Sequence, residues 1–416
     1  MTSRQNFLKT LNHEQPDHIV VDFGATPVTG IHVNIVEQLR DHFGLERKPV
    51  KVNEPYQMLG EIEDDLVEAL GVDVIGLSPP SDMFGNRMVN WKEYRTHWGQ
   101  VVLVPGSFTV SVDDNGNSLI YPQGDAAVGP SAKMPKAAYF FDALNRQGIL
   151  DESTLDPEDN VEEFGLLSSG DIEYWKEAVE IASGIGKGLV ANFGGTGIGD
   201  IALVPGLNLK APKGIRDVAD WYMSTLMRPE YMHSVFEKQT DVALENLRMV
   251  SDATGDLVDV AYICGTDFGT QDSSFCSLET YDELYAPYYK KMNSWIHENT
   301  RWKTFKHSCG AVEPFMESFI DSGFDIINPV QINAAEMDPA LLKKKYGTRL
   351  IFWGGGVDTQ KVLPFGTTEE VKKHVLKECE ILSPGGGFVF NTVHNIQANV
   401  PLRNVIAMLD AIRQFG

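Results

Sequence analysis

The sequence predicts an α/β protein, a (β/α)8 TIM-type barrel with an N-terminal extension and a β-rich insertion, and three observations carry that expectation. Short apolar runs rich in β-branched residues recur along the chain, each followed by a glycine or polar turn. Amphipathic stretches of helical period separate them. Seven or eight such units follow one another, which favours a closed parallel barrel over an open doubly wound sheet.

The opening MTSRQNFLKTLNHEQPD has no apolar core and no small-residue cleavage site, so it reads as an extension and not as a secretory signal. VDVIGLS (72–78) is the first clear strand run. Residues 85–140 break the alternation: their apolar positions recur with period two, and "DDNGNS" is a hairpin turn between them. We expect an antiparallel insertion there, lying over a barrel rim. The acidic, turn-rich stretch 150–165 precedes a helix around IEYWKEAVEIAS. GLVANFGG (188–195), DLVDVAYICGTDFG (256–269), RWKTFKHSCG (301–310), FDIINPVQ (324–331), RLIFWGGGVD (349–358) and GFVFNTVHNI (387–396) supply the later strands. TYDELYAPYYKKMNSWIHENT and TEEVKKHVLKECEILS are helices between them; in the second, Val371, Val375, Leu376 and Cys379 recur at helical spacing, which makes Cys379 a core residue. One barrel domain, 1–416, accounts for the whole chain.

Composition narrows the function classes. The 416 residues are 43% hydrophobic and 22% charged, ordinary for a soluble enzyme, and the formal net charge of -23 would repel nucleic acid. No apolar run approaches transmembrane length, so no membrane partner is expected. The four cysteines, Cys264, Cys276, Cys309 and Cys379, form no C-x-x-C pair. Reduced thiols in a cytoplasmic protein are the simplest account.

In a barrel of this kind the functional residues gather where strands end and loops begin. Period-two alternation along RWKTFKHSCG puts His307 and Cys309 on one face, and His394 ends the last strand run, next to them in a closed ring. Imidazole, thiolate and imidazole can occupy three corners of a tetrahedral Zn2+ and leave the fourth for water or substrate. On spacing alone an H-x-C pair fits a packed strand end as well as a metal site. Asp267 in "TDFGTQ" is a candidate to orient substrate or relay a proton, or is a turn aspartate. Asp358 in "GGGVDTQ" is a candidate hydrogen-bond partner for a metal-bound imidazole, or again a turn residue. Asn328 and Gln331 end their strand run with groups suited to hydrogen-bonding a bound ligand. "GGTGIGD" (194–200) is similar to a phosphate cradle but has no lysine in the P-loop position, and Asp200 does not suit an anion. Gly194 and Gly195 are therefore read as a close-approach loop lining the pocket. Cys264 and Cys276 are the rival ligands.

Long stretches of the chain resemble the uroporphyrinogen decarboxylase superfamily, within it the branch of cobalamin-dependent methyltransferases. The resemblance runs from "LNHEQPDHIVVDFGATPVTGIHV" through "GTDFGTQDSSFCSLETYDELYAPYYKKM" to "HSCGAVEPFMESFIDSGFDIINPVQ", "WGGGVDTQKVLPFGTTEEV" and "GGGFVFNTVHNIQANVPLRNVIAML". Methyltransferases of that branch carry a zinc motif of H-x-C followed much later by cysteine. His307 and Cys309 match it directly, whereas the later position falls on His394, with Pro401 and Asn404 kept downstream. That substitution leaves one thiolate in place of two, hence a net positive centre and a stronger Lewis acid.

The resemblance implies a zinc-dependent methyltransferase moving a methyl group from a small donor, a methoxylated aromatic in the first instance, to Co(I) of cobalamin. No D-x-H-x-x-G corrinoid-binding segment occurs, so the cobalamin comes on a partner corrinoid protein or free. Barrels of this superfamily often pair, which leaves a homodimer open. Two alternatives stand beside this reading. One is decarboxylation, which in the name-giving members uses an arginine-rich N-terminal segment; here Arg4 is isolated and Arg40 and Arg47 lie in a helix-like stretch. The other is a non-catalytic relative.

Overall fold

The computed structural model describes residues 1–415. Eight strands form one parallel sheet: β1 (Val20–Val21), β2 (Val74–Leu77), β3 (Gly188–Ala191), β4 (Val260–Cys264), β5 (Lys303–His307), β6 (Ile326–Asn328), β7 (Ile351–Trp353) and β8 (Phe388–Phe390). Each pairs with its successor from β2 through to β8, and β8 pairs with β1. Between β1 and β2 the ring is drawn together by Asp73, whose backbone N–H reaches Val21 O (2.9 Å) while its carboxylate accepts Val21 N–H (3.0 Å). The result is the (β/α)8 barrel that the strand periodicity calls for.

Alternation within the strands builds two apolar layers. Val20, Val74, Val190, Val260, Phe305, Ile326, Ile351 and Val389 point inward with Tyr262 and Trp353, and branched or aromatic side chains at these positions fill the barrel axis. Their neighbours Ala261, Ile263, Ile327, Phe352, Phe388 and Phe390 face the helices. The N-terminal helix Ser3–Leu11 plugs one end: Phe7 packs on Gly188, where a Cβ would stand 2.1 Å from the ring. Phe7, Trp353, Phe305 and Tyr262 then stack edge to face and tilted up the axis toward the other end, at centroid spacings of 5.8, 5.1 and 5.4 Å.

Outside the barrel lie two four-stranded sheets. One is antiparallel, with strands Val110–Val112, Ser118–Ile120, Ala132–Met134 and Asp142–Ala143, and the first two flank the hairpin at Asp113–Asn117. The other joins Val50–Glu54 and Leu59–Gly60 to Lys92–Arg95 and Val101–Val104. The β-rich layer therefore starts at Val50, upstream of residue 85. Val50–Glu54 escapes a hydrophobicity scan because only Val50 and Val52 of its five residues are apolar. Among the described residues no helix is long and apolar enough to cross a membrane.

Asp22 is wholly buried after β1, with Oδ2 accepting from Trp353 Nε1 (2.8 Å) and Oδ1 from Ala25 N (2.9 Å). Burial pushes its pKa up, from 3.8 to about 6. The folded state thus binds a proton that the unfolded chain releases, and this contribution is full below pH 4 and lost as pH rises through 6. Asp22→Asn removes the titration. Its stability relative to the wild type is expected to rise by about 3 kcal/mol between pH 4 and pH 7.5 in urea unfolding, whatever constant offset the amide adds. A pH-independent difference would contradict this.

Candidate metal centre

The segment after β5, Ser308–Gly310, is held by every backbone donor it has. Ser308 N donates to Asn328 O (2.7 Å), Cys309 N to Asp267 Oδ1 (2.6 Å) and Gly310 N to Gln331 Oε1 (2.7 Å). Ser308 Oγ accepts Phe268 N–H in return (2.9 Å). Gly310 has φ +88°, and a Cβ there would fall 2.3 Å from the Gly269 carbonyl carbon, so only glycine lets the loops after β4 and β5 cross this closely. The path of the H-x-C-G segment is thus pinned, and glycine required at 310, before the segment's own side chains are considered.

His307 extends the inward row of β5 two residues beyond Phe305. Its Nδ1 lies 2.6 Å from Asn328 Oδ1, and Asn328 Nδ2 donates to Trp353 O (2.9 Å). That second bond orients the amide, so Nδ1 carries the imidazole proton and the Nε2 lone pair faces the mouth. Cys309 Sγ is 3.3 Å from this Nε2. His394 comes from the loop after β8, its ring centroid 5.5 Å from that of His307. One donor atom from each of His307, Cys309 and His394 lies within 4.8 Å of the others.

Electrostatics prepare the imidazoles for a cation. Burial lowers the pKa of His307 to about 4, with the nearby Lys306 charge adding to it. Burial, then repulsion from His307, lowers His394 to about 4. Both rings are neutral at pH 7, the form that ligates metal. Burial and the Asp267 charge push the Cys309 thiol well above its usual range, so it holds its proton until a cation replaces it. Two neutral imidazoles and one ionisable thiol within 4.8 Å fit Zn2+ with a fourth corner left over. His394 is less well prepared than His307: its Nδ1 accepts Asn395 N–H (2.8 Å). The ring must give up that bond, or turn about Cβ–Cγ to present Nε2.

The other candidates fall into two groups. Asp267 is at the centre: its Oδ1 holds the Cys309 amide and lies 3.8 Å from His307 Nε2. Asn328 orients His307. Gln331 clamps Gly310 and donates to Gln271 Oε1 (3.2 Å), so these two amides build the loop. Away from the centre, Asp358 accepts Gln360 N–H (2.6 Å), Lys361 N–H (3.1 Å) and Asn333 Nδ2–H (3.4 Å), and hydrogen-bonds neither imidazole. It is a turn aspartate here. Gly194 and Gly195 adopt φ +78° and +75° in the turn after β3, next to Pro79 and Asn246. Cys264 is turned away by a register shift between Tyr262 and Cys264 in the β4–β5 pairing, which aims its sulfur at Lys306 Nζ (3.4 Å) among the outer aromatics. Cys276 is not in the donor group. Asp200, whose Oδ2 accepts Gly265 N–H (3.1 Å) from the loop after β4, was not among the site residues expected; its signal was that it closes the glycine-rich turn.

The N-terminal arginines are committed elsewhere. Arg4 pairs with Asp259, Arg40 with Asp65 and Glu63, and Arg47 with Asp41. None is free to bind substrate carboxylates.

Asn328→Ala leaves His307 free to rotate and to change tautomer. Zinc affinity is expected to fall about 10–100-fold, read by competition with a chromogenic chelator. Unchanged affinity would show that the amide does not orient the ligand.

Comparison with known proteins bears on the family and the fold. The family model described as "Uroporphyrinogen decarboxylase (URO-D)" matches residues 209–415, a span containing β4 to β8 and all three metal-ligand candidates. No curated protein sequence matches the chain. Among solved structures, a methyltransferase from Methanosarcina mazei is similar over 100% of this chain and 99% of its own, with TM-score 0.55 and 14% identity, a likeness of fold. Endo-glycoceramidase II from Rhodococcus sp. matches 61% of this chain and 67% of its own, with TM-score 0.31 and 10% identity, too distant to carry an argument.

Proposed function

We propose that this chain, a member of the uroporphyrinogen decarboxylase superfamily through residues 209–415, is a zinc-dependent methyltransferase that passes a methyl group from a small donor to Co(I) of a corrinoid. The corrinoid is the second substrate, delivered by a partner protein or free, and methoxylated aromatics are the donor class to assay first. The observation that carries this reading is the convergence of His307, Cys309 and His394 within 4.8 Å at the barrel mouth.

When bound there, Zn2+ supplies a Lewis acid that draws electron density from the heteroatom leaving the methyl group. One thiolate against two imidazoles leaves the centre net positive, which suits polarising a neutral ether oxygen. The chain's own residues do the rest. Asn328 fixes the His307 tautomer, and Asp267 fixes the Cys309 backbone. Tyr262, Phe305 and Trp353 close the barrel beneath the mouth and keep water from entering below. Holding donor and acceptor in line is worth several orders of magnitude by itself.

The test is incubation of the zinc-loaded protein with a Co(I) corrinoid protein and a panel of methyl donors, followed by the cobalt spectrum. Conversion with an aryl methyl ether is the expected result. No conversion with any donor would overturn the assignment.

A further inference from the structure

Asp200 ends the glycine-rich turn after β3, and its carboxylate is held by two backbone donors, Ala202 N to Oδ1 (3.0 Å) and Gly265 N to Oδ2 (3.1 Å). Gly265 puts nothing between this carboxylate and the Tyr262 phenol. A Cβ at Gly265 would stand 2.8 Å from Asp200 Oδ2 and 2.8 Å from the Tyr262 hydroxyl. Gly265 is two residues before Asp267, whose carboxylate holds the Cys309 amide. The two acids feel each other: burial first, then repulsion from Asp267, raises the Asp200 pKa to about 6. On its other side Asp200 lines a small cavity of ≈ 20 Å³ together with Asn160, Glu163, Arg216 and Gln239. That is room for about one water among polar partners.

We propose that Asp200 is the general acid of the reaction, delivering a proton to the leaving oxygen as the methyl group departs. The inference rests on the methyl-transfer reading above and adds a residue to it. The methyl C–O bond breaks and its electron pair stays on oxygen. The Asp200 O–H proton passes to that oxygen, releasing a neutral alcohol or phenol and leaving Asp200 as carboxylate. The methyl carbon accepts the electron pair of Co(I) in the corrinoid acceptor, and cobalt is formally oxidised to Co(III). Asp200 regains its proton from water in the cavity behind it. Asp267 is tied to the Cys309 amide through its Oδ1 (2.6 Å), whereas Asp200 is held only by the Ala202 and Gly265 amides of its own turn and of the loop after β4, so a carboxyl proton there is left to donate.

The test compares wild type, Asp200→Asn and Asp200→Glu, all zinc-loaded, on a series of ring-substituted anisoles with Co(I) corrinoid protein. For anisole itself, Asp200→Asn is expected to lower kcat by about 10²–10⁴-fold, the usual worth of general acid catalysis. For 4-nitroanisole, whose phenolate leaves unaided, the loss is small, so the dependence on leaving-group basicity steepens. Asp200→Glu, which keeps the acid, restores the shallow dependence, and zinc content is the same in all three. A second readout needs no turnover: 4-nitrophenol bound to the wild type shows more of the neutral phenol spectrum than when bound to Asp200→Asn. Equal slopes and equal phenol spectra would overturn the role of Asp200. A wild type that transfers no methyl from any anisole would instead overturn the functional reading, with the phenol spectra still deciding whether Asp200 donates.

Discussion

Cys309→Ala is expected to lose its zinc on dialysis and to transfer methyl groups at least ~10³-fold more slowly than the wild type. The thiolate is the only anionic ligand in the group, so its removal leaves two neutral imidazoles facing a dication across a buried mouth. The fold should be indifferent to the change. The backbone bond from Cys309 N to Asp267 survives in alanine, as do the crossing of Gly310 over Gly269 and the clamp from Gln331. Thermal unfolding of the apoprotein should therefore stay within about 1 kcal/mol of the wild type, since the half-buried side chain loses one sulfur and leaves no backbone group unpaired. Cys264→Ser is the matched control: its sulfur faces Lys306 outside the barrel, and zinc content should not move. A Cys309→Ala protein that retains one zinc and full activity would remove the thiolate from the account.

The second large effect is a change of chemistry. His394→Cys restores two thiolates and makes a bound zinc centre formally neutral. Zinc should be retained, because thiolate is at least as good a ligand as imidazole and Cys needs no ring reorientation away from Asn395 N–H. Transfer from an ether should nevertheless fall about 10–100-fold, since the weaker Lewis acid polarises the leaving oxygen less. His394→Ala, by contrast, should lose both metal and activity. The pair of variants separates a ligand that merely holds zinc from one that sets its charge. Equal ether transfer by His394→Cys and the wild type would show that the charge of the centre is not what matters.

Much of this was legible in the sequence for a simple reason. A barrel strand buries alternate residues, so RWKTFKHSCG declares which side His307 and Cys309 take, and a closed ring brings the end of GFVFNTVHNI to them. Resemblance to a family then made a weak H-x-C signal, together with His394, a candidate ligand set. Where alternation is interrupted the reading fails. Along β4 an unbroken period puts Cys264 in register with the inward Tyr262, but the register shift between them rotates it outward beside Lys306. Polar strand ends are ambiguous for a different reason: Asp267 and Asp358 look alike in sequence, yet one meets a ligand's backbone across the mouth and the other caps its own turn. Only the path of the neighbouring loop decides between them. Asp200 is read in the sequence only as unsuited to a phosphate cradle, because its partner, the Gly265 amide, lies 65 residues away and carries no side chain to announce it.

The most direct measurement is X-ray absorption at the zinc edge on protein loaded with one equivalent of Zn2+. A single sulfur at about 2.3 Å and two imidazole nitrogens at about 2.0–2.1 Å are expected, with no sulfur around any zinc that undialysed Cys309→Ala still holds. A first shell of oxygen and nitrogen alone, or one unchanged by that substitution, would contradict it.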